Sequence, residues 1–153
     1  MTITFSSPSP PRRWYAALIG TYLTGVAGLA LLVRRRDSTP TVEARDVIVL
    51  AAATNKLARL GTQEKVTEPL RAPFTEPVEE PDGTRHEQPQ RRGARRAVGE
   101  LVTCPFCLSV WIATALTGAL LLAPRPTRVT LSAFAAMTGS DLLQRCLARL
   151  EPP

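Results

Sequence analysis

Twenty consecutive residues, Trp14 to Val33, carry no charge and no proline. Any fold open to this chain has to keep that run away from water. At 1.5 Å per residue a helix of this length is about 30 Å long, the thickness of a bilayer's hydrocarbon core. Lipid offers no partner for backbone N–H and C=O groups, so the run is expected to be helical. Arg12 and Arg13 precede it, Arg34, Arg35 and Arg36 follow it, and Trp14 and Tyr15 stand where interfacial aromatics belong. A cleaved signal peptide is the rival reading. The run is long for the apolar part of a leader, however, and ends in three arginines instead of a small-residue cleavage site, which favours a retained anchor. Gly20, Thr24 and Gly28 recur every fourth residue and make one face small, a pattern that permits close helix contact; general richness in Ala and Gly explains it equally.

The mean hydropathy of the whole chain is near zero, yet that average hides two populations. Uncharged apolar stretches alternate with stretches rich in Pro and Arg, as in membrane proteins. The spacing predicts a flexible tail over 1–13 and membrane helices over 14–33, 102–123 and 129–150. Pro105 sits where the 102–123 helix would begin, and Pro124 and Pro126 end it. The last two helices are separated by only a few residues and so form an antiparallel hairpin. The segment 42–60 is ambiguous. Its apolar centre, Val47 to Thr54, is too short to span alone, and Lys56 and Arg59 would have to snorkel to an interface. It is either a short tilted span or an amphipathic surface helix. Between 61 and 101 lie Pro69, Pro73, Pro77, Pro81 and Pro89, acidic residues around 76–82 and basic ones from Arg91 to Arg96. Proline and charge at this density predict disorder over about 75–92, with a short helix at 92–101. The expected fold class is all-α, a multi-pass bundle of three to four transmembrane helices with a partly disordered cytoplasmic loop.

The formal charge is +6, most of the excess being Arg. No nucleic-acid motif or aromatic-studded basic face accompanies it, so nucleic acid is not expected as a partner. Arginines flanking apolar runs instead set orientation and touch anionic lipid, here at the basic loop. With four spans and the N-terminus inside, thirteen Lys and Arg residues fall on the cytoplasmic side and six outside. If 42–60 lies on the surface, the tally becomes fifteen against four with the N-terminus outside, so charge alone favours three spans. Both arrangements keep loop 61–101, the start of the third helix and the C-terminus cytoplasmic, in a bacterial plasma membrane.

Cys104-Pro105-Phe106-Cys107 is the one constellation with chemistry in it. A helix start favours a thiolate, and the spacing is that of thiol–disulfide exchange motifs. No βαβ pattern surrounds it, which excludes a thioredoxin-like domain. The pair faces a reducing compartment, and Cys146 is the remaining cysteine. Zinc uses the same spacing, but two cysteines are half a tetrahedral site, and the lone histidine, His86, sits in the polar loop. No cofactor is therefore expected, zinc entering only if a dimer pools its cysteines. Structural, redox and metal roles stay open for Cys104 and Cys107. Trp111 falls on the same helix face as Cys107, one turn deeper. Asp141 is costly at membrane depth and is expected either to pair with Lys56 or Arg59 or to sit in headgroup water facing Arg145.

Three strings carry a resemblance: 53–60 (ATNKLARL), 66–74 (VTEPLRAPF) and 99–108 (GELVTCPFCL) with Trp111. Over about 47–150 the chain resembles a bacterial membrane family catalogued as domain of unknown function 1360, some of whose members are labelled sporulation proteins. The resemblance implies that 42–60 is a full membrane helix, hence four spans, and that the first helix is an N-terminal addition. It implies no activity, cofactor or catalytic residue. The expected role is a non-enzymatic scaffold or accessory membrane protein whose loop meets a protein partner or a second copy. The alternative is a membrane-bound thiol–disulfide oxidoreductase or a redox or metal sensor using the CPFC pair. A holin or transporter is a weaker third reading, because few polar residues could line a path.

Overall fold

The structure is a computed structural model that describes residues 12–36, 40–79, 85–90 and 93–150. Most of these residues are helical. In chain order the elements are α1 (Arg12–Arg34), α2 (Ala44–Gln63), a single 3-10 turn (Lys65–Thr67), α3 (Glu68–Arg71), β1 (Thr75–Glu79), β2 (Arg85–Pro89), α4 (Gly93–Thr103), α5 (Pro105–Leu122) and α6 (Pro124–Leu150). The tail expected over 1–13 falls outside the described residues up to 11, and Arg12 and Arg13 already belong to α1.

The four long helices alternate in direction. Along α1, Tyr15 bonds Glu100, Tyr22 bonds Thr114 at 2.9 Å and Arg36 bonds the carbonyl of Leu122, so α1 and α5 run parallel. Helix α2 runs the other way: its first turn meets Arg128 through Asp46, and its last turn meets Leu108 through Gly61. Helix α6 runs alongside α2, with Thr138 donating to the carbonyl of Ala52 at 3.0 Å and Lys56 donating to Asp141 at 2.7 Å. One end of the bundle therefore holds the α5–α6 turn, Arg36 and Asp46. The other end holds everything between α2 and α5.

Local chemistry explains the helix starts. The Glu43 N–H donates to the Asp46 carboxylate at 3.1 Å, a reciprocal cap for α2. At α5, Cys104 is the N-cap, its Sγ accepting the Cys107 N–H at 3.3 Å, and Pro105 takes the first position, where no N–H is needed. Val102 and Thr103, expected in the same membrane helix, belong instead to α4.

The core sits where α2, α5 and α6 meet: Ala53, Leu120 and Leu131 are buried, backed by Val49, Leu50, Leu116 and Phe134. Helices α1 and α5 are long and apolar enough to cross a membrane. Helices α2 and α6, which carry Lys56, Arg59, Asp141 and Arg145, are less apolar. The small face of α1 does not make the close contact its spacing allows, since a Cβ on Gly20 or Gly28 would meet nothing within 4 Å. Close approach is provided from the other side, by Gly118 of α5, against which Leu29 packs.

The expectation of disorder over 75–92, and with it a purely α-helical chain, is corrected at the described positions. Strands β1 and β2 pair antiparallel, with Thr75 opposite Pro89 and Pro77 opposite Glu87. Residues 80–84 and 91–92 lie outside the described residues. The prolines are tolerated because a two-stranded ribbon consists of edge strands, on which half of the backbone donors have no ladder partner to lose. Pro69 starts α3 instead of breaking it.

The ribbon is docked on α4. Gln90 N–H donates to the carbonyl of Phe74 at 3.0 Å, and a Cβ on Gly99 would collide with that same carbonyl oxygen and stand 3.1 Å from Cβ of Pro89. Backbone on backbone cannot yield, so Gly99→Ala is expected to cost about 1–3 kcal/mol. Limited proteolysis should cut within 72–92 several-fold faster in that variant than in wild type; equal cutting rates would contradict the docking.

Candidate functional site

The residues singled out by sequence fall into separate groups: the thiols at the α4–α5 break, Trp111 one turn along α5, and Lys56 with Asp141 between α2 and α6. Cys104 and Cys107 stand at the break between α4 and α5, both free thiols, with Cys107 exposed. Phe106, between them, is 84% exposed, an unusual state for a large apolar side chain at a helix start. Cys146 is exposed on α6 and forms no disulfide. Among the described residues no three His, Cys, Asp or Glu side chains gather as metal ligands. His86 takes part in the ribbon through its backbone, opposite Val78, and its side chain lies outside the described atoms.

One turn along α5 from Cys107, Trp111 packs edge-on against Tyr22 of α1, with ring centroids 5.2 Å apart and planes at 66°. An aromatic pair in this geometry contributes about 0.5–1.5 kcal/mol beyond its buried area. Trp111 thus joins two helices. At the foot of the same interface Tyr15 donates to Glu100, which also accepts from Arg96 at 2.9 Å. Burial pushes the Glu100 carboxyl up, but the hydrogen bonds from Tyr15 and Arg96 outweigh it and hold its pKa below the ordinary value.

Lys56 and Asp141 lie together, Nζ to Oδ2 at 2.7 Å, with the lysine side chain mostly buried. Of the two cations open to Asp141, Lys56 takes the ion pair; Arg59, one turn on, lines the same cleft without an ion-pair contact to it among the described residues. Arg145 lines the same cleft between α2 and α6.

Three further contacts were not foreseen from the sequence. Arg128 holds Asp46 through two bonds, Nε to Oδ1 at 3.0 Å and Nη2 to Oδ2 at 2.8 Å. Arg71 is 5% exposed and grips Glu87 with both arms of its guanidinium, at 2.7 and 3.1 Å, while its Nη1 donates to the carbonyls of Gly61 and Glu64. Such a fork is specific to arginine. It ties β2 to the end of α2, which is why the proline-rich segment holds a shape. The third is the Tyr15–Glu100 bond. The partners in these contacts are separated by 82, 16 and 85 positions, and only Asp46 had a local signal, the Glu43-x-x-Asp46 capping spacing.

The family described as "Protein of unknown function (DUF1360)" matches residues 49–147. The chain belongs to this family. The matched span runs from α2 to α6 and takes in the ribbon, α4 and the CPFC elbow, leaving α1 outside. The chain is also similar to the "Sporulation protein YjcA" of Bacillus subtilis (strain 168), with 34% identity over 71 residues. That similarity covers 44% of this chain and 60% of the relative, so the chain spans about three fifths of the relative's length. No solved structure matches the chain. The family description attaches no activity.

The Lys56–Asp141 pair is expected to hold α6 against α2. Lys56→Gln and Asp141→Asn should each lower the melting temperature in detergent, and the exchanged pair Lys56→Asp with Asp141→Lys should recover most of the loss. Exchange that is no better than the single variants would show that the contact contributes nothing.

Proposed function

We propose that the chain is a four-span plasma-membrane protein without enzymatic activity, a scaffold or accessory subunit that offers a structured cytoplasmic platform to a protein partner. The observation that carries the reading is the alternation of α1, α2, α5 and α6. Four side-by-side helices of 23, 20, 18 and 27 residues return the chain to the same end after α2 and again after α6. In such an arrangement one layer of lipid would cover all four, and thirteen of nineteen Lys and Arg residues would fall on the platform side. Polar groups of α2 and α6 would be matched across the helices, Lys56 by Asp141 and Asp46 by Arg128, as charges at membrane depth require. The platform, formed by α3, the ribbon and α4, would present the exposed Arg95 to anionic lipid headgroups or to an acidic partner surface. The name of the relative ties that protein to sporulation, and a developmental setting for this chain is part of the proposal.

Labelling of intact cells with a membrane-impermeant maleimide tests the topology. Cys104, Cys107 and Cys146 should stay unlabelled until the cells are opened, and Arg125→Cys, at the α5–α6 turn, should be labelled from outside. Labelling of the native cysteines in intact cells, with Arg125→Cys protected, would reverse the orientation.

A second reading is favoured by the Cys107 N–H···Sγ Cys104 contact, which holds the two thiols on the same turn. In it the pair reduces a substrate disulfide, passing on two electrons and two protons and closing the Cys104–Cys107 bond. Mass-shift trapping of thiols before and after a disulfide stress separates the readings: an inert pair supports the scaffold, and a pair that closes and reopens supports the oxidoreductase.

A further inference from the structure

Ala51, Asn55, Arg59 and Gln63 follow one another at four-residue spacing on α2, and all are exposed. This row grows more polar toward the platform and forms the ridge between two recesses, a groove of about 690 Å³ against α5 and a cleft of about 360 Å³ against α6. Asn55 and Arg59 make no hydrogen bond or ion pair among the described residues. Arg59 shares the cleft of Asp141, but on a membrane helix an outward amide and guanidinium with no hydrogen-bond partner are costly, and such groups mark binding sites.

A second observation lies inside the larger groove. Thr54 lines it, is 8% exposed, and has no partner for its Oγ1. Thr62, Thr103, Thr127 and Thr138 return their hydroxyls to the carbonyl four residues back, at 2.7–3.1 Å. Thr54 does not, which leaves a buried hydroxyl to be satisfied from the groove.

We propose that the α2–α5 groove binds an acidic glycerophospholipid of the cytoplasmic leaflet. Its phosphate sits on Arg59 and Gln63, its glycerol ester region on Asn55 and Thr54, and an acyl chain along Leu50 and Ala113. Arg59 supplies the charge complementarity. Helical rise sets Asn55 about 6 Å and Thr54 about 7.5 Å deeper than Arg59, the order of the spacing between phosphate and ester carbonyls in such a lipid. Free phosphate would satisfy Arg59 alone and leave the apolar wall and the Thr54 hydroxyl unfilled. A second copy of the chain presents no acidic side chain from this groove to answer Arg59, since the groove's lining contains no carboxylate. The inference rests on α2 being a membrane helix, as proposed above.

Native mass spectrometry of the full chain, released from nanodiscs containing equal phosphatidylglycerol and phosphatidylcholine, tests it. The acidic lipid should be retained over the neutral one by about tenfold, the contribution of one charge-assisted phosphate contact. Arg59→Gln should bring the ratio near one. Thr54→Val should lower lipid occupancy about threefold, as loss of one hydrogen bond does, without lowering the melting temperature. Glycerol 3-phosphate, which has the head without the chains, should not compete. Equal retention of the two lipids, indifference to both substitutions, or full competition by glycerol 3-phosphate would overturn the site while leaving the membrane helices standing. A chain that stays in solution without detergent or nanodisc would overturn the membrane reading and the site with it.

Discussion

The position of α2 is the constraint on which the rest of the structure depends. It carries four charged side chains, and yet it is the helix packed between α5 and α6. Two charge pairs fix it lengthwise, Asp46 with Arg128 at one end and Lys56 with Asp141 at the other. Along its length Ala53, Thr54, Ala58 and Thr62 are buried, and small side chains of this kind let neighbouring backbones come close. Asp46 is only 5% exposed, so the arginine that reaches it is a condition for keeping the charge there and not an ornament of the surface.

From that placement the platform follows. The last turn of α2 delivers the carbonyls of Gly61 and Glu64 to Arg71, and Arg71 in turn holds Glu87. The ribbon is thereby anchored to the end of α2 through one guanidinium, while its other side rests on Gly99 of α4. Helix α4 passes directly into the CPFC elbow, and Tyr15 of α1 bonds Glu100 just before it. A force applied to the platform has a short, hydrogen-bonded route to α5 and α1.

Much of this was legible in the residues, and the exceptions have physical causes. The uncharged runs at Trp14–Val33 and after Pro105 declare helices because nothing else hides them. The start of α5 could be read from Pro105 because the first turn has no use for its missing N–H. Asp141 was marked as needing a cation, but which of Lys56 and Arg59 faces it depends on the rotation of α2, which its mixed pattern leaves open. The ribbon was missed because proline density signals a break only where every backbone donor is needed, and an edge strand needs half of them. The glycine and threonine face of α1 misled for a related reason: spacing shows that a close approach is allowed, whereas Leu29 against Gly118 is where it occurs. Arg71 and Glu87 carry no local pattern at all; their pairing exists only once the turn between them has folded.

The central claim is that α2 crosses the lipid layer beside α5 and α6 instead of lying along its surface. Spin labels placed one at a time along the outward face of α2, at Ile48, Ala51, Ala52, Asn55 and Gln63, measure this directly through their relative collision rates with oxygen and with a water-soluble nickel chelate in reconstituted bilayers. The preference for oxygen should rise from Ile48 to a maximum near Ala52 and fall again by Gln63. A single shallow value at all five positions would mean that α2 lies flat at the headgroups, and the four-helix arrangement across the membrane would be wrong.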